Sequence, residues 1–192
     1  MSHNVYAAKR EGLSQGHTSD EASTRQVNRA LPCGFRTKRF FNFRNRQTVH
    51  YVVASVHSAF NLSESEMTQR VIRALENPFV TMLAHPTGRL LLKRDPYQID
   101  IPAVLDAAAR TGTWIELNAA PKRLDLDWRW WPLAKQKGVN CVINPDAHRT
   151  ERLQDLWFGI GIARKGWLNK DDVVNCLPIA KIEKALRAKS AR

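Results

Sequence analysis

Val139-Asn140-Cys141-Val142-Ile143-Asn144-Pro145-Asp146-Ala147-His148 is the stretch whose reading decides the fold. Val139 to Ile143 are β-branched or apolar at most positions and follow Gly138, the pattern of a short buried strand. Pro145 has no N–H to give to a ladder, so the strand stops there. Asp146 and His148 come next. They are two positions apart, so in an extended chain both point to the same side. A carboxylate and an imidazole at the end of a buried strand suit a divalent metal. The same residues also read as a plain turn, with Asp146 bonded to its own backbone and His148 at the surface.

The design recurs upstream. Tyr51 to Val56 reads as a strand ending at His57, Phe79 to Ala84 as one ending at His85 and Pro86, and Thr113 to Leu117 as one ending at Asn118. The steps from His57 to His85, to Asn118 and to Asp146 are 28, 33 and 28 positions. Helical patterns lie between. Strand, helix, strand at a period near 30 is a βα repeat with parallel strands. Parallel strands bring their C-terminal ends to one rim, where α/β barrels carry their chemistry. The repeat therefore predicts His57, His85, Asn118, Asp146 and His148 around one mouth, with the strands near 50–56, 79–84, 113–118 and 139–144.

The chain has 192 residues and 43% hydrophobic content, enough for one ordinary globular core. No apolar run approaches the ~20 residues of a membrane span, and the N-terminus lacks a signal-peptide core, so the cytoplasm is the expected compartment. Cys33, Cys141 and Cys176 are odd in number and far apart, which suggests neither a disulfide framework nor a zinc finger. Net charge is +12 and favours a polyanionic partner. Residues 1–50 hold nine Lys/Arg against three Asp/Glu, half of that excess. Residues 1–46 lack a sustained period and read as a poorly ordered basic arm. Phe40, Phe41 and Phe43 lie between Arg39 and Arg44, a spacing that also suits stacking on single-stranded bases.

Ser63 and Glu66 form a capping box, and Met67, Val71, Ile72 and Leu75 a helical stripe behind it. His85-Pro86-Thr87-Gly88-Arg89 reads as a tight loop that places Arg89 to hold a phosphate, or alternatively to pair with Asp95. Asp100, Pro102 and Gly112 bound a second helix. Glu116 shares parity with Asn118 and is expected to face inward with it. Asp127 opens a helix whose tryptophans pack on the sheet. Glu151 to Trp157 reads as a helical turn. Phe158 to Gly166 holds two close glycines without dinucleotide-binding spacing. Asn169 caps a further small helix, and Ile179 to Lys189 reads as a basic terminal helix.

Ser55-Val56-His57-Ser58, His85-Pro86-Thr87-Gly88-Arg89, Ile115-Glu116-Leu117-Asn118 and Asn144-Pro145-Asp146-Ala147-His148, in that order, resemble the PHP (polymerase and histidinol phosphatase) domain. The likeness is strongest to the PHP domain at the C-terminal end of bacterial family X DNA polymerases. Gly161 to Leu168 and Asn175 to Pro178 also look like that subgroup. The resemblance spans about residues 49–186. It implies a distorted β/α barrel with a three-metal cluster of zinc or manganese at the rim, and phosphoester hydrolysis, in those polymerases as a 3′–5′ exonuclease on DNA. By motif, His57 and His85 share one metal, Asp146 binds a second and His148 a third. Asp146 and His148 are then the catalytic pair, with Ser58, Arg89 and Asn118 toward substrate.

The sequence departs from that pattern at its start. The family's opening His-x-His and its bridging Glu have no counterpart in residues 1–50. The expectation is therefore a partial (β/α) barrel of about four βα units at 49–192 behind an unrelated or disordered basic arm at 1–48, as a truncated or frameshifted gene would leave. The metal cluster is expected to be incomplete. Four strands cannot close a barrel, which predicts an unpaired edge at strand 50–56 and self-association through it. The alternative function is an inactive remnant or a basic DNA-binding module.

Overall fold

A computed structural model describes residues 35–39 and 51–190. They form an α/β fold around a five-stranded sheet in the order β1 (Phe35–Arg39), β2 (Val52–Val56), β3 (Val80–Leu83), β4 (Trp114–Asn118) and β5 (Cys141–Asn144). Strands β2 to β5 are parallel and neighbours in chain order, as the repeat predicts. All four predicted strands are present, each one or two residues shorter at its ends.

The edge at β2 is not open, and this corrects the expectation of an unpaired strand there. Residues 35–39 of the basic segment pair antiparallel with it, Phe35 opposite Val56 and Arg39 opposite Val52. The rest of the predicted arm lies outside the described residues. At the other side, β5 is closed by a side chain. Asn175 Oδ1 accepts from the Ile143 N–H and Asn175 Nδ2 donates to the Ile143 carbonyl, both at 2.9 Å. An amide has the donor–acceptor spacing of a peptide group, so at Ile143 one residue makes the two bonds that a neighbouring strand would make.

Alternation decides which face carries what. Val52, Ala54 and Val56 of β2, Ile115 and Leu117 of β4, and Cys141 and Ile143 of β5 point into the main core. Four helices cover them: α1 (Glu64–Leu75), α2 (Ile101–Thr111), α3 (Trp131–Gln136) and α4 (Leu156–Lys165). Trp131, Met67, Leu75 and Leu105 are wholly inside, each worth on the order of 2–3 kcal/mol of burial. The helix boundaries follow the predicted caps. Ser63 and Glu66 close a reciprocal capping box on α1, and the Asp100 carboxylate accepts from the Ala103 N–H on α2. Gly112 ends α2 at φ 64°, a backbone geometry that suits glycine.

Helix α4 is the element that the glycine pair concealed. Gly159 lies inside it because a β-carbon there would come within 2.5 Å of Ile143 Cγ2 and 2.7 Å of Ala119 Cβ. The glycine lets the helix lie flat on the ends of β4 and β5. A last helix, α5 (Ile179–Ser190), follows where predicted.

Candidate functional site

The second face of the sheet alternates with the core face, and toward the C-terminal ends of the strands it turns polar. Glu116 and Asn118 come from β4 and Asn144 from β5, where Asn144 is the register partner of Asn118. All three are buried. Glu116 joins three strand ends. Its Oε2 accepts from the His85 backbone N–H at 2.7 Å and from Asn118 Nδ2 at 3.2 Å, and its Oε1 accepts from Asn144 Nδ2 at 2.9 Å. Burial pushes the Glu116 carboxyl up to about 7, against the pull of these donors, and the nearby Asp146 charge adds to the rise. The inward parity predicted for Glu116 holds. Asn144 shows in the sequence only as a polar residue closing an apolar strand.

His57 and His85 leave the ends of β2 and β3 and meet edge to face, with ring centroids 5.2 Å apart. His57 is solvent-exposed and its Nε2 shares a 2.8 Å hydrogen bond with Ser55 Oγ. His85 is buried, and its Nδ1 has no hydrogen-bond partner. Burial first, then the Arg123 guanidinium and His57, push His85 down to about 4, with Asp146 opposing. His85 is therefore neutral near pH 7, the form that offers a lone pair to a cation.

Asp146 and His148 follow β5 as predicted. Asp146 turns at φ 50° and lies 3.6 Å from Arg123 Nε. His148 is exposed, and its Nδ1 lies 2.9 Å from the Asp146 carbonyl oxygen. The pair thus forms a turn with His148 at the surface, as the second reading has it, although the backbone bond is made by the His148 ring and not by the Asp146 carboxylate. Ser58 is exposed beside His57, and its carbonyl accepts from Arg70 Nη1 at 3.0 Å.

Arg89, expected to hold a phosphate or pair with Asp95, is committed elsewhere. Its Nε donates to the Arg123 carbonyl at 2.8 Å, Nη1 to Asp127 Oδ2 at 2.6 Å, and Nη2 to the Leu124 carbonyl. Burial raises Asp127, but bonds from Arg129 and Arg89 outweigh it and hold the carboxyl well below the usual range. Arg89 thus ties the 119–127 loop to the 85–89 loop. Asp125 adds to the tie by accepting from the Thr87 N–H, and burial pushes it up to about 6.

The cation that reaches the mouth is Arg123, which the sequence reading did not single out. Its side chain is mostly covered, its Nε has no hydrogen-bond partner, and it stands against Asp146 and electrostatically against His85. The available signal was its place in the loop after β4, at the same rim as the four donors.

The donor chemistry suits a divalent cation in part. The unpartnered Nδ1 of a neutral His85 beside His57 fits two ligands of one ion. Among the described residues, however, no three His, Cys, Asp or Glu side chains converge on one point.

The chain has relatives among known proteins. Over 136 residues, 71% of its length, the chain is 43% identical to the DNA polymerase/3′-5′ exonuclease PolX of Bacillus subtilis. The chain is homologous to PolX. It is also 27% identical over 150 residues to a probable phosphatase of Thermoanaerobacter sp., and 34% identical over 107 residues to a probable phosphatase of Caldanaerobacter subterraneus. The matched segments cover 24% of PolX and 58% and 39% of the two phosphatases, under two thirds of each relative. No family model matches the chain. The PolX homology agrees with the resemblance read from the rim motifs. Among the described residues, no helix is long and apolar enough to cross a membrane.

Proposed function

We propose that residues 49–192 act as a metal-dependent phosphoesterase module of PHP type, with a DNA phosphodiester as substrate. The observation that carries the reading is the grouping of His57, neutral buried His85, Asp146 and Arg123 at the C-terminal ends of the strands, in a homologue of an exonuclease and of probable phosphatases. Zinc or manganese would be held by His57 and His85, with Asp146 and His148 as further donors. A bound divalent cation supplies Lewis acidity and an activated water. The chain's own residues do the remaining work. Glu116 fixes the His85 backbone and the two asparagines. Ser55 orients the His57 ring. Arg123 offers a guanidinium to a phosphate oxygen, a planar donor for which Asp146 is the present counter-charge. Arg89 serves the substrate indirectly, by holding the loop that carries Arg123.

A second reading is a basic nucleic-acid-binding module with little or no catalysis. It is favoured by the lack of a three-donor set among the described residues and by the net charge of +12. One experiment separates the two. The purified chain is given manganese and a small phosphodiester such as bis-(p-nitrophenyl) phosphate, alongside His85→Ala and Asp146→Ala. Manganese-dependent release lost in both variants supports the hydrolase. No release above the metal-only blank, at full manganese, leaves the binding module.

A further inference from the structure

Helix α4 presents two large aromatic rings to solvent at the level of the rim. Gly159 rests on Ile143 and Ala119, the residues that lead into the Asp146 loop and out of β4. Trp157 and Phe158 immediately precede that contact and stand 74% and 52% exposed. Side chains of this size usually bury most of their surface, and two adjacent ones left open mark a contact site. The flanks are basic. Residues 149–170 carry Arg149, Arg152, Arg164, Lys165 and Lys170 against Glu151, Asp155, Asp171 lying just beyond. Arg149, Arg164 and Lys165 are exposed.

We propose that Trp157 and Phe158 form a stacking ledge for the bases of a single-stranded nucleic acid whose end enters the mouth. This rests on the phosphoesterase reading above for what happens to that end, although the binding stands alone. Flat rings take any base by its face, while neighbouring guanidinium and ammonium groups neutralise the backbone. An apolar protein partner would be matched by the rings but not by the basic flank. The ledge also makes a division of labour. Arg123 and the rim donors meet one phosphate, and the ledge holds the bases behind it.

The test uses the full chain in EDTA, so that binding is read without hydrolysis, with a fluorescein-labelled oligothymidylate of about ten nucleotides, within the usual span of single-strand sites. Anisotropy gives the affinity, and tryptophan emission reports stacking. The double variant Trp157→Ala/Phe158→Ala is expected to bind about 10- to 100-fold more weakly. Trp167→Ala, just past the C-terminal end of α4 and 76% exposed, is the control and should bind as the parent does. Circular dichroism and unfolding midpoints confirm that the variants fold. Unchanged oligonucleotide affinity in the folded double variant overturns the ledge, even where manganese-dependent cleavage of the small phosphodiester stays intact and the phosphoesterase reading survives. Affinity lost through the ledge in a chain that cleaves no phosphodiester upholds the ledge and removes the hydrolase. A sedimentation shift from dimer to monomer in the double variant, with oligonucleotide affinity retained, overturns the ledge in favour of contact between copies.

Discussion

Replacing Glu116 by Gln tests the electrostatics of the mouth through stability alone. Burial raises the carboxyl from its ordinary 4.5 to about 7. Folding then disfavours ionisation, and the side chain's contribution is fully present below pH ~4.5 and is lost as pH rises through ~7. A rise of this size corresponds to about 3 kcal/mol, at 1.36 kcal/mol per pH unit. His85 acts with the opposite sense. Pushed down to about 4 by burial, it supports the fold above pH ~6.5 and costs stability as pH falls toward ~4. In the wild-type chain the two trends largely cancel between those limits, so a flat profile would by itself say nothing. Subtracting Glu116→Gln from wild type removes the shared His85 contribution. Glutamine keeps the size, its Oε1 still accepts from the His85 N–H and Asn118, and an amide flip at Asn144 relieves the donor facing its Nε2. The wild type is expected to lose about 3 kcal/mol relative to the variant between pH 4 and pH 8. Urea unfolding with chelator present, at matched pH points, measures it. Difference curves that stay parallel to within about 1 kcal/mol across that range would show that Glu116 ionises normally and would refute the buried-hub account.

Two substitutions probe the frame beneath the mouth. Gly159→Ala should destabilise by about 1–3 kcal/mol through overpacking against Ile143 and Ala119, whereas Gly161→Ala, with open space around its β-carbon, should stabilise by about 1 kcal/mol; thermal melts of both separate packing from helix propensity. Asn175→Ala removes both bonds to the Ile143 backbone and should cost about 1–3 kcal/mol while increasing concentration-dependent association, read by unfolding and light scattering.

The scaffold was legible where the signal is local. Four apolar runs at a regular period fixed the parallel strands, and Ser63, Glu66, Asp100 and Gly112 marked helix ends because capping involves residues within one turn of each other. Helix α4 was hidden because its glycines answer to Ile143 and Ala119, distant in sequence, rather than to the helix they sit in. Strand β1 was hidden in a basic segment, Phe35-Arg36-Thr37-Lys38-Arg39, whose sequence lacks an apolar alternation and whose pairing is with β2, more than ten positions further on. The placement of His57, His85 and Asp146 at strand ends could be read from spacing. Their partners could not: Arg89 reaches Asp127 across 38 positions, and Glu116 reaches His85 across 31.

The same strand explains why scaffold and site separate so cleanly. In β4, Ile115 and Leu117 face the helices, and Glu116 and Asn118 face the other way, so one pleat carries core and chemistry on opposite sides. The chemistry is costly where it sits. Glu116 and Asp125 resist ionisation, His85 resists protonation, and His85 and Asp146 turn at φ 34° and 50°, a region that costs on the order of 1–3 kcal/mol for residues with a β-carbon. A surface loop under such strain would relax. Here the loops cannot, because Arg89 ties two of them together and Glu116 fixes the strand ends below. Those ties point inward and leave the Nδ1 of neutral His85 and the Nε of Arg123 without hydrogen-bond partners, while Arg123 Nη1 donates to the Arg89 carbonyl at 3.4 Å. Under the proposed function, that nitrogen would meet the cation and that guanidinium the phosphate.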